Sequence, residues 1–206
     1  MKEILKEIYL FSELDDHELN DLVKISTIEH YAKDNLLFMK GEESEHLIVL
    51  IEGDLVVYKN DEKGNEIIIG FFSPHSLIAE PAILRGMAFP SSAMFKSDGA
   101  VIKIELKAFE QDFLSNAHIS REIIQSLLHK IQLLQQNIHL TIATTSKEKI
   151  LHLYKENSSI VAKLKNYEIA ALLGMTAETF SRGLKQLVKE EKLLRTDEGY
   201  RLLSDI

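Results

Sequence analysis

The sequence predicts an α+β chain in which strands and helices occupy separate stretches instead of alternating. Three observations predict it. Short apolar and β-branched runs separated by turn signals fill residues 28–104. A helical pattern fills residues 107–145, with heptad spacing from Ile124 onward. The last 60 residues carry three amphipathic segments followed by a hairpin with glycine in its turn.

Residues 2–26 read as helical, with a break near Phe11-Ser12 and with Asp15 or Asp16 placed to cap a second helix carrying Leu19, Leu22 and Val23. Strand-like runs follow at 36–39, 47–51, 55–58, 67–72, 93–95 and 101–104. Between them lie Lys40-Gly41, Glu52-Gly53-Asp54, the polar stretch 60–65, Ser73-Pro74 and Ser97-Asp98-Gly99. Short strands at this spacing predict a small antiparallel barrel or sandwich.

The helical pattern has a seam of Ile124, Leu127, Ile131, Leu134, Ile138, Thr141 and Thr145, alternating three and four residues apart. That is the a/d pattern of a two-stranded coiled coil, so a homodimer is expected. Leu128, Leu133, Leu140 and Ile142 form a second apolar surface, expected to face the barrel of the same chain. A core helix packed only on its own domain is the competing reading.

Beyond Ser146, helices are expected at 147–156, 166–173 and 177–190, then strands at 193–195 and 200–203 around Thr196-Asp197-Glu198-Gly199. Three helices and a hairpin make a winged helix-turn-helix. Gly174 suits the tight turn between the last two helices, and Thr176 is a candidate N-cap. Glu178, Ser181, Arg182 and Lys185 fall at i, i+3, i+4 and i+7 and share one outward face. Arg bridges O6 and N7 of guanine, Glu accepts from cytosine N4, and Ser serves either base, so Glu178, Ser181 and Arg182 are the candidate base readers. Lys163, Lys165, Thr176, Thr179, Lys185, Lys189 and Arg201 are candidate phosphate contacts. The competing reading is a solvated face with a Glu178–Arg182 pair.

Net charge is −8, but it is unevenly spread. Residues 1–146 carry 13 Lys+Arg against 23 Asp+Glu, net −10, whereas residues 147–206 carry 11 against 9, net +2. Only the C-terminal part suits a double-stranded DNA partner. The expected domains are 1–112, a β-barrel sensor with N-terminal helices; 113–145, a dimerisation helix; and 146–206, the winged helix-turn-helix.

The bulk composition narrows the class further. The longest apolar runs are too short to cross a bilayer, so no membrane partner is expected. The N-terminal MKEILKEIYLF carries acids and lacks a small-residue cleavage site, which predicts no signal peptide and a cytoplasmic protein. The absence of cysteine excludes a disulfide framework, thiolate zinc and a cysteine-ligated iron–sulfur cluster. No P-loop, nucleophile–base constellation or metal-ligand cluster stands out, so an enzyme is not expected.

The order of parts resembles the Crp/Fnr family of bacterial transcription regulators. The likeness is carried by 10–14 (LFSEL), 39–42 (MKGE), 50–58 (LIEGDLVVY), 63–66 (KGNE) and 72–74 (FSP). The reading helix is similar to the Fnr-type E-x-x-S-R, here Glu178, Ser181 and Arg182, which implies TTGA-like half-sites in inverted repeat. The resemblance implies a cyclic-nucleotide-binding-like barrel of jelly-roll type, a homodimer on DNA, and RNA polymerase as a partner if the protein activates. It also implies an effector pocket around Glu80, Ser91 and Ser92, coupled through Leu128, Gln132 and Gln135 on the long helix. Cyclic-AMP-binding members have a G-E-L segment and then an R-S/T-A segment whose Arg pairs with the cyclic phosphate. Here these read Ala79-Glu80-Pro81 and Pro90-Ser91-Ser92-Ala93, with Arg85 five residues from Pro90. A phosphate buried without a counter-charge is costly, so cyclic AMP is not the expected effector. The resemblance leaves three alternatives: haem, with His17, His75 and His129 as candidate ligands among eight histidines, a small organic ligand, or no ligand. A haem- or small-ligand-binding sensor with weak or no DNA binding is the alternative function.

Overall fold

The computed structural model describes residues 1–60, 64, 66–143, 145–161, 164–196 and 199–203, with side chains at 133, 136–143 and 156–160 left aside. It divides into two compact units, Met1–Val57 with Gly70–Gln132 and Tyr58–Ile69 with Leu133–Ile206.

The first unit opens with α1 (Lys2–Glu7), a 3-10 turn at Tyr9–Phe11 and α2 (Asp16–Lys24). Asp15 is the residue that starts α2. Its carboxylate accepts the N–H groups of His17 and Glu18, both at 2.8 Å, and Glu18 accepts from the Asp15 N–H at 2.9 Å. This capping box satisfies N–H groups that a helix start otherwise leaves orphaned.

Eight strands follow: β1 (Ser26–Tyr31), β2 (Leu36–Phe38), β3 (His46–Glu52), β4 (Leu55–Asn60), β5 (Glu66–Phe72), β6 (Ser76–Ile78), β7 (Ser92–Phe95) and β8 (Gly99–Glu105). They form two four-stranded sheets, ordered β1-β8-β3-β6 and β2-β7-β4-β5. The pairs β1/β8, β3/β8, β3/β6 and β2/β7 are antiparallel. In β3, Leu47 and Val49 enter one core while Ile48 and Leu50 enter another. The uninterrupted apolar run therefore means that both faces of this strand are covered. One core fills the space among the sheet residues Phe38, Leu50, Leu55, Ile78, Phe95 and Val101. The other joins Leu5, Phe11 and Leu22 to Ile102, Phe109, Ile119 and Ile123.

Strand β1 has no counterpart among the expected runs, the first of which is 36–39, and two shorter elements also escaped the sequence reading, β6 and the one-turn α3 (Glu80–Ile83). Both are too short to show a period, and α3 is entered through Ala79 at φ 55°. The strands also begin earlier than residue 28, at Ser26.

The helical pattern expected over 107–145 is two helices, with the dimerisation helix expected at 113 starting at Ala117. The helix α4 (Leu106–Asp112) ends before Phe113, and α5 (Ala117–Ala143) starts anew where Asn116 Oδ1 accepts the His118 N–H at 3.0 Å. Apolar Phe113 and Leu114 continue the pattern across the break and hide it. On α5, Ile119 and Ile123 are buried in the barrel-side core, with Leu127 packed against it. Ile124, Leu128, Ile131 and Leu134 are exposed at 54%, 48%, 50% and 58%. This corrects two assignments. Leu127 faces its own core and not the seam, and Leu128 belongs to the exposed stripe, because 123, 127 and 130 share the inward face of a 3.6-residue helix. The side chains of Leu133, Ile138, Leu140, Thr141 and Ile142 lie outside the described residues.

Thr145 is also corrected. It does not extend the seam: its N–H and Oγ1 donate to Glu148 Oε2 at 2.7 and 2.8 Å, capping α6 (Ser146–Val161). After α6 come α7 (Asn166–Leu172), α8 (Ala177–Lys189), β9 (Leu193–Thr196) and β10 (Gly199–Leu202). The last two pair antiparallel, from Gly199 opposite Thr196 to Leu202 opposite Leu193. Ile150, Leu153, Tyr154, Ile169, Phe180, Leu184, Leu187 and Leu193 are buried in this unit. Lys163, Asp197 and Glu198 lie outside the described residues.

Candidate nucleic-acid interface and barrel site

Helix α7 begins where the Lys165 N–H donates to the buried Glu168 carboxylate at 2.7 Å. It ends at Gly174, whose φ of +63° lets the chain reverse without a Cβ penalty. Bonds from Gly174 N to Ala171 O and from Met175 N to Ala170 O, both 3.0 Å, close the turn. Thr176 then caps α8, its Oγ1 accepting the Thr179 N–H at 3.2 Å. The hydroxyls of Thr176 and Thr179 lie 3.0 Å apart, so both expected phosphate contacts sit at the helix start, where N–H groups favour anions.

The faces of α8 separate cleanly. Phe180, Gly183, Leu184 and Leu187 are buried, while Glu178, Ser181, Arg182, Lys185 and Lys189 are exposed. Gly183 is what lets α6 come close: a Cβ there would lie 2.6 Å from Ile150 Cδ1. Neither Glu178 nor Arg182 has an ion-pair or hydrogen-bond partner among the described residues. Their i,i+4 spacing is therefore not used as a surface pair. Lys165 is exposed, with Nζ 5.8 Å from the ring of exposed Tyr167. Arg201 is exposed on β10. The exposed aromatic at Tyr167 was not singled out in the sequence, and its only signal was a large apolar residue between Lys165 and Glu168 in the first turn of α7.

In the first unit, the expected pocket residues are placed very differently from one another. Glu80 is fully buried. Lys130 Nζ donates to its Oε1 at 2.6 Å and Oε2 at 2.5 Å, and to the Leu77 carbonyl at 2.9 Å. Ser126 Oγ donates to Glu80 Oε1 at 3.4 Å, and the Lys130 ammonium lies 5.3 Å from the Phe72 ring centre. Burial pushes the Lys130 ammonium pKa down, opposed by the charge of Glu80 and its hydrogen bond. Tyr9 is held above its usual value, chiefly by burial; the nearby Ser126 hydroxyl opposes this, and Glu80 and Glu122 add to it. Ser91 and Ser92 are buried, and Ser92 Oγ accepts the Lys40 N–H at 2.9 Å.

Leu128, Gln132 and Gln135 are exposed in the single chain. Ser126 and Lys130, one helical turn apart on the inward face, reach the barrel at Glu80. The sequence carried a signal for Lys130, which is one of only two cationic Lys or Arg side chains in the 27 residues of α5. His17 is exposed on α2, 3.1 Å from Asp21 Oδ2; His75 is exposed in the turn before β6 at φ 70°; His129 is exposed on α5. Among the described residues, no group of three or more His, Asp or Glu could hold a metal ion.

Comparison with known proteins fits this arrangement. The cyclic nucleotide-binding domain family matches residues 28–116. The cAMP-activated global transcriptional regulator CRP of Salmonella typhimurium is 23% identical over 171 residues, covering 78% of this chain and 81% of its own length. The flp protein of Lacticaseibacillus casei is 23% identical over 202 residues, covering 95% of this chain and 91% of its own. A transcriptional regulator of the CRP/FNR family from Thermus thermophilus superposes with a TM-score of 0.74 at 16% identity, covering 87% of this chain and 95% of its own. The chain thus carries a cyclic nucleotide-binding domain at residues 28–116 and is similar in sequence and fold to regulators of the Crp/Fnr type.

The family's barrel domain implies a cyclic nucleotide as ligand, which brings a phosphodiester charge and a ribose hydroxyl to be matched. Between Ala79 and Ala93 this chain carries one cationic side chain, Arg85, and it is exposed. Pro90 brings neither charge nor N–H. Both oxygens of Glu80 accept from Lys130, and the Ser92 oxygen accepts from the Lys40 N–H. These residues do not fit a cyclic nucleotide.

Proposed function

We propose that this chain is a Crp/Fnr-type regulator that binds double-stranded DNA sequence-specifically, as a homodimer on an inverted repeat of TTGA-like half-sites, and answers to an effector other than cyclic AMP. The observation that carries the reading is the outward face of α8, where Glu178, Ser181 and Arg182 stand exposed and without partners among the described residues. Their opposite face is fixed by Phe180, Leu184 and Leu187. A recognition helix needs this combination of rigid placement and free hydrogen-bonding capacity. Lys165, Lys185, Lys189 and Arg201 supply phosphate contacts around it, and Thr176 and Thr179 supply hydroxyls at the helix start.

The exposed stripe of Ile124, Leu128, Ile131 and Leu134 supports self-association through α5. Two copies place two reading helices on half-sites one helical turn apart. RNA polymerase is the further partner if the protein activates, and a cytoplasmic regulator, not an enzyme, is the reading that the relatives' activities support. Fluorescence anisotropy on a TTGA inverted repeat and on a scrambled duplex, at one salt concentration, tests it. The repeat is expected to bind at least ~10³-fold tighter than the scrambled duplex, with no change on adding cyclic AMP. Equal affinities for the two duplexes overturn base reading, and tightening by cyclic AMP overturns the assignment of the effector.

A further inference from the structure

We propose that Glu80 and Lys130 form a built-in latch that clamps α5 to the barrel without a ligand, and that the latched form is the DNA-binding form. The inference rests on the DNA-binding reading above for its second half only. Its first half rests on the geometry of one ion pair, whose carboxylate is fully buried and whose ammonium is partly buried.

Glu80 sits on α3 with no exposed surface. A carboxylate there needs a counter-charge, because burying it alone is prohibitively costly. Lys130 supplies it from α5, 50 residues away in sequence. The ammonium has three protons, and the structure gives each an acceptor: Oε1, Oε2 and the Leu77 carbonyl. Phe72 covers its flank, and Ser126 reaches the same carboxylate one turn earlier on α5. The pair therefore joins α3, β6, β5 and α5 in one shell.

Its position along α5 gives it leverage. Ile119, Ile123 and Leu127 hold the helix by apolar contact. Lys130 is the next inward side chain, and Ile131, Gln132, Leu134 and Gln135 after it are exposed. Among the described side chains it is the last anchor of α5 on the barrel. An apolar anchor can slip by fractions of an ångström at little cost. A buried ion pair with every donor satisfied is either made or broken, since removing one partner strands the other charge. Such an element has two states, as a switch requires. The internal cation also occupies both oxygens of the carboxylate, so the barrel needs no ligand to hold α5 in place.

The test uses the full-length chain and the variants Lys130→Gln and Glu80→Gln. Amide hydrogen exchange is expected to quicken about 10-fold over residues 124–132 of α5 in both, while β3, β8 and α8 keep their protection. Affinity for the inverted repeat is expected to fall about 10-fold, within the usual range of coupling between sites. Unchanged exchange in α5 overturns the latch. So does an equal gain in β3 and β8, because the pair is then merely a stabilising contact. Faster exchange in α5 with unchanged DNA affinity overturns the regulatory half. If the unaltered protein fails to distinguish the repeat from a scrambled duplex, the DNA-binding reading fails, and the exchange data still decide whether the pair clamps α5. Should Glu80→Gln not fold, Lys130→Gln and Lys130→Met decide the matter, because the Lys130 side chain is partly exposed.

Discussion

Arg182 and Lys185 lie about one turn apart on the exposed face of α8, yet their chemistry differs. The planar guanidinium matches the O6/N7 edge of guanine with two parallel bonds, whereas the ammonium is a point charge suited to phosphate. Arg182→Ala is expected to cost about 1–3 kcal/mol on the inverted repeat and little on random duplex. Lys185→Ala is expected to weaken both alike and to lower the salt slope by about one. Paired titrations on the two duplexes separate the roles, and equal losses for Arg182→Ala remove it from base reading. A buried phenol gives a second test at this scale. Burial, helped by Tyr200, raises Tyr154 from 10.0 to about 12. The folded state then holds the proton while the unfolded chain releases it above pH 10, so stability falls as pH rises from about 10 to about 12. The loss reaches about 2–3 kcal/mol. Urea denaturation across that range should show the slope, and Tyr154→Phe should flatten it.

Elements differ in how plainly the sequence announced them, and the difference is one of range. Asp15 and Thr176 as caps, the left-handed Gly174 and the polar face of α8 all follow from residues within four positions of one another, and the structure has each of them. The wing strands follow from one glycine and two short apolar runs. What was not legible depends on partners far away. The face of α5 that meets the barrel was misassigned because period alone cannot say which of two apolar stripes is covered. Leu127 and Leu128 are adjacent in the chain, and only packing tells them apart. The Glu80–Lys130 pair was invisible because nothing local links residues 50 apart. The pattern at Thr145 looked like a thinning heptad, but a threonine three residues before a glutamate is equally a capping box. Gly174 offers the element-scale prediction. Its position has open space for a methyl group but φ +63°. Gly174→Ala should therefore cost only backbone strain, about 1–2 kcal/mol, read as a lower urea midpoint with an unchanged m-value.

At the scale of the whole molecule, the proposed function asks an acidic chain to hold a reading face against a polyanion. The net −10 of residues 1–146 works against DNA binding, and the net +2 of residues 147–206 offsets little of it. One copy of the winged unit would thus bind weakly at physiological salt, where phosphate contacts carry most of the affinity. Doubling the sites is the physical remedy, because the second half-site is met at the high effective concentration set by the first. The exposed stripe on α5 is the surface available for that doubling: Ile124, Leu128, Ile131 and Leu134 leave about half of each side chain in water. Placing a charge in its middle should break the pair without touching the barrel core, since Ile131 points away from Ile123 and Leu127. Ile131→Glu is expected to sediment as a monomer with an unchanged circular dichroism spectrum. Its affinity for the full inverted repeat should fall by about 10²–10⁴-fold, to the level of a single half-site. A variant that stays dimeric moves the interface off this stripe, and a monomer that keeps full affinity removes the need for two copies on the DNA.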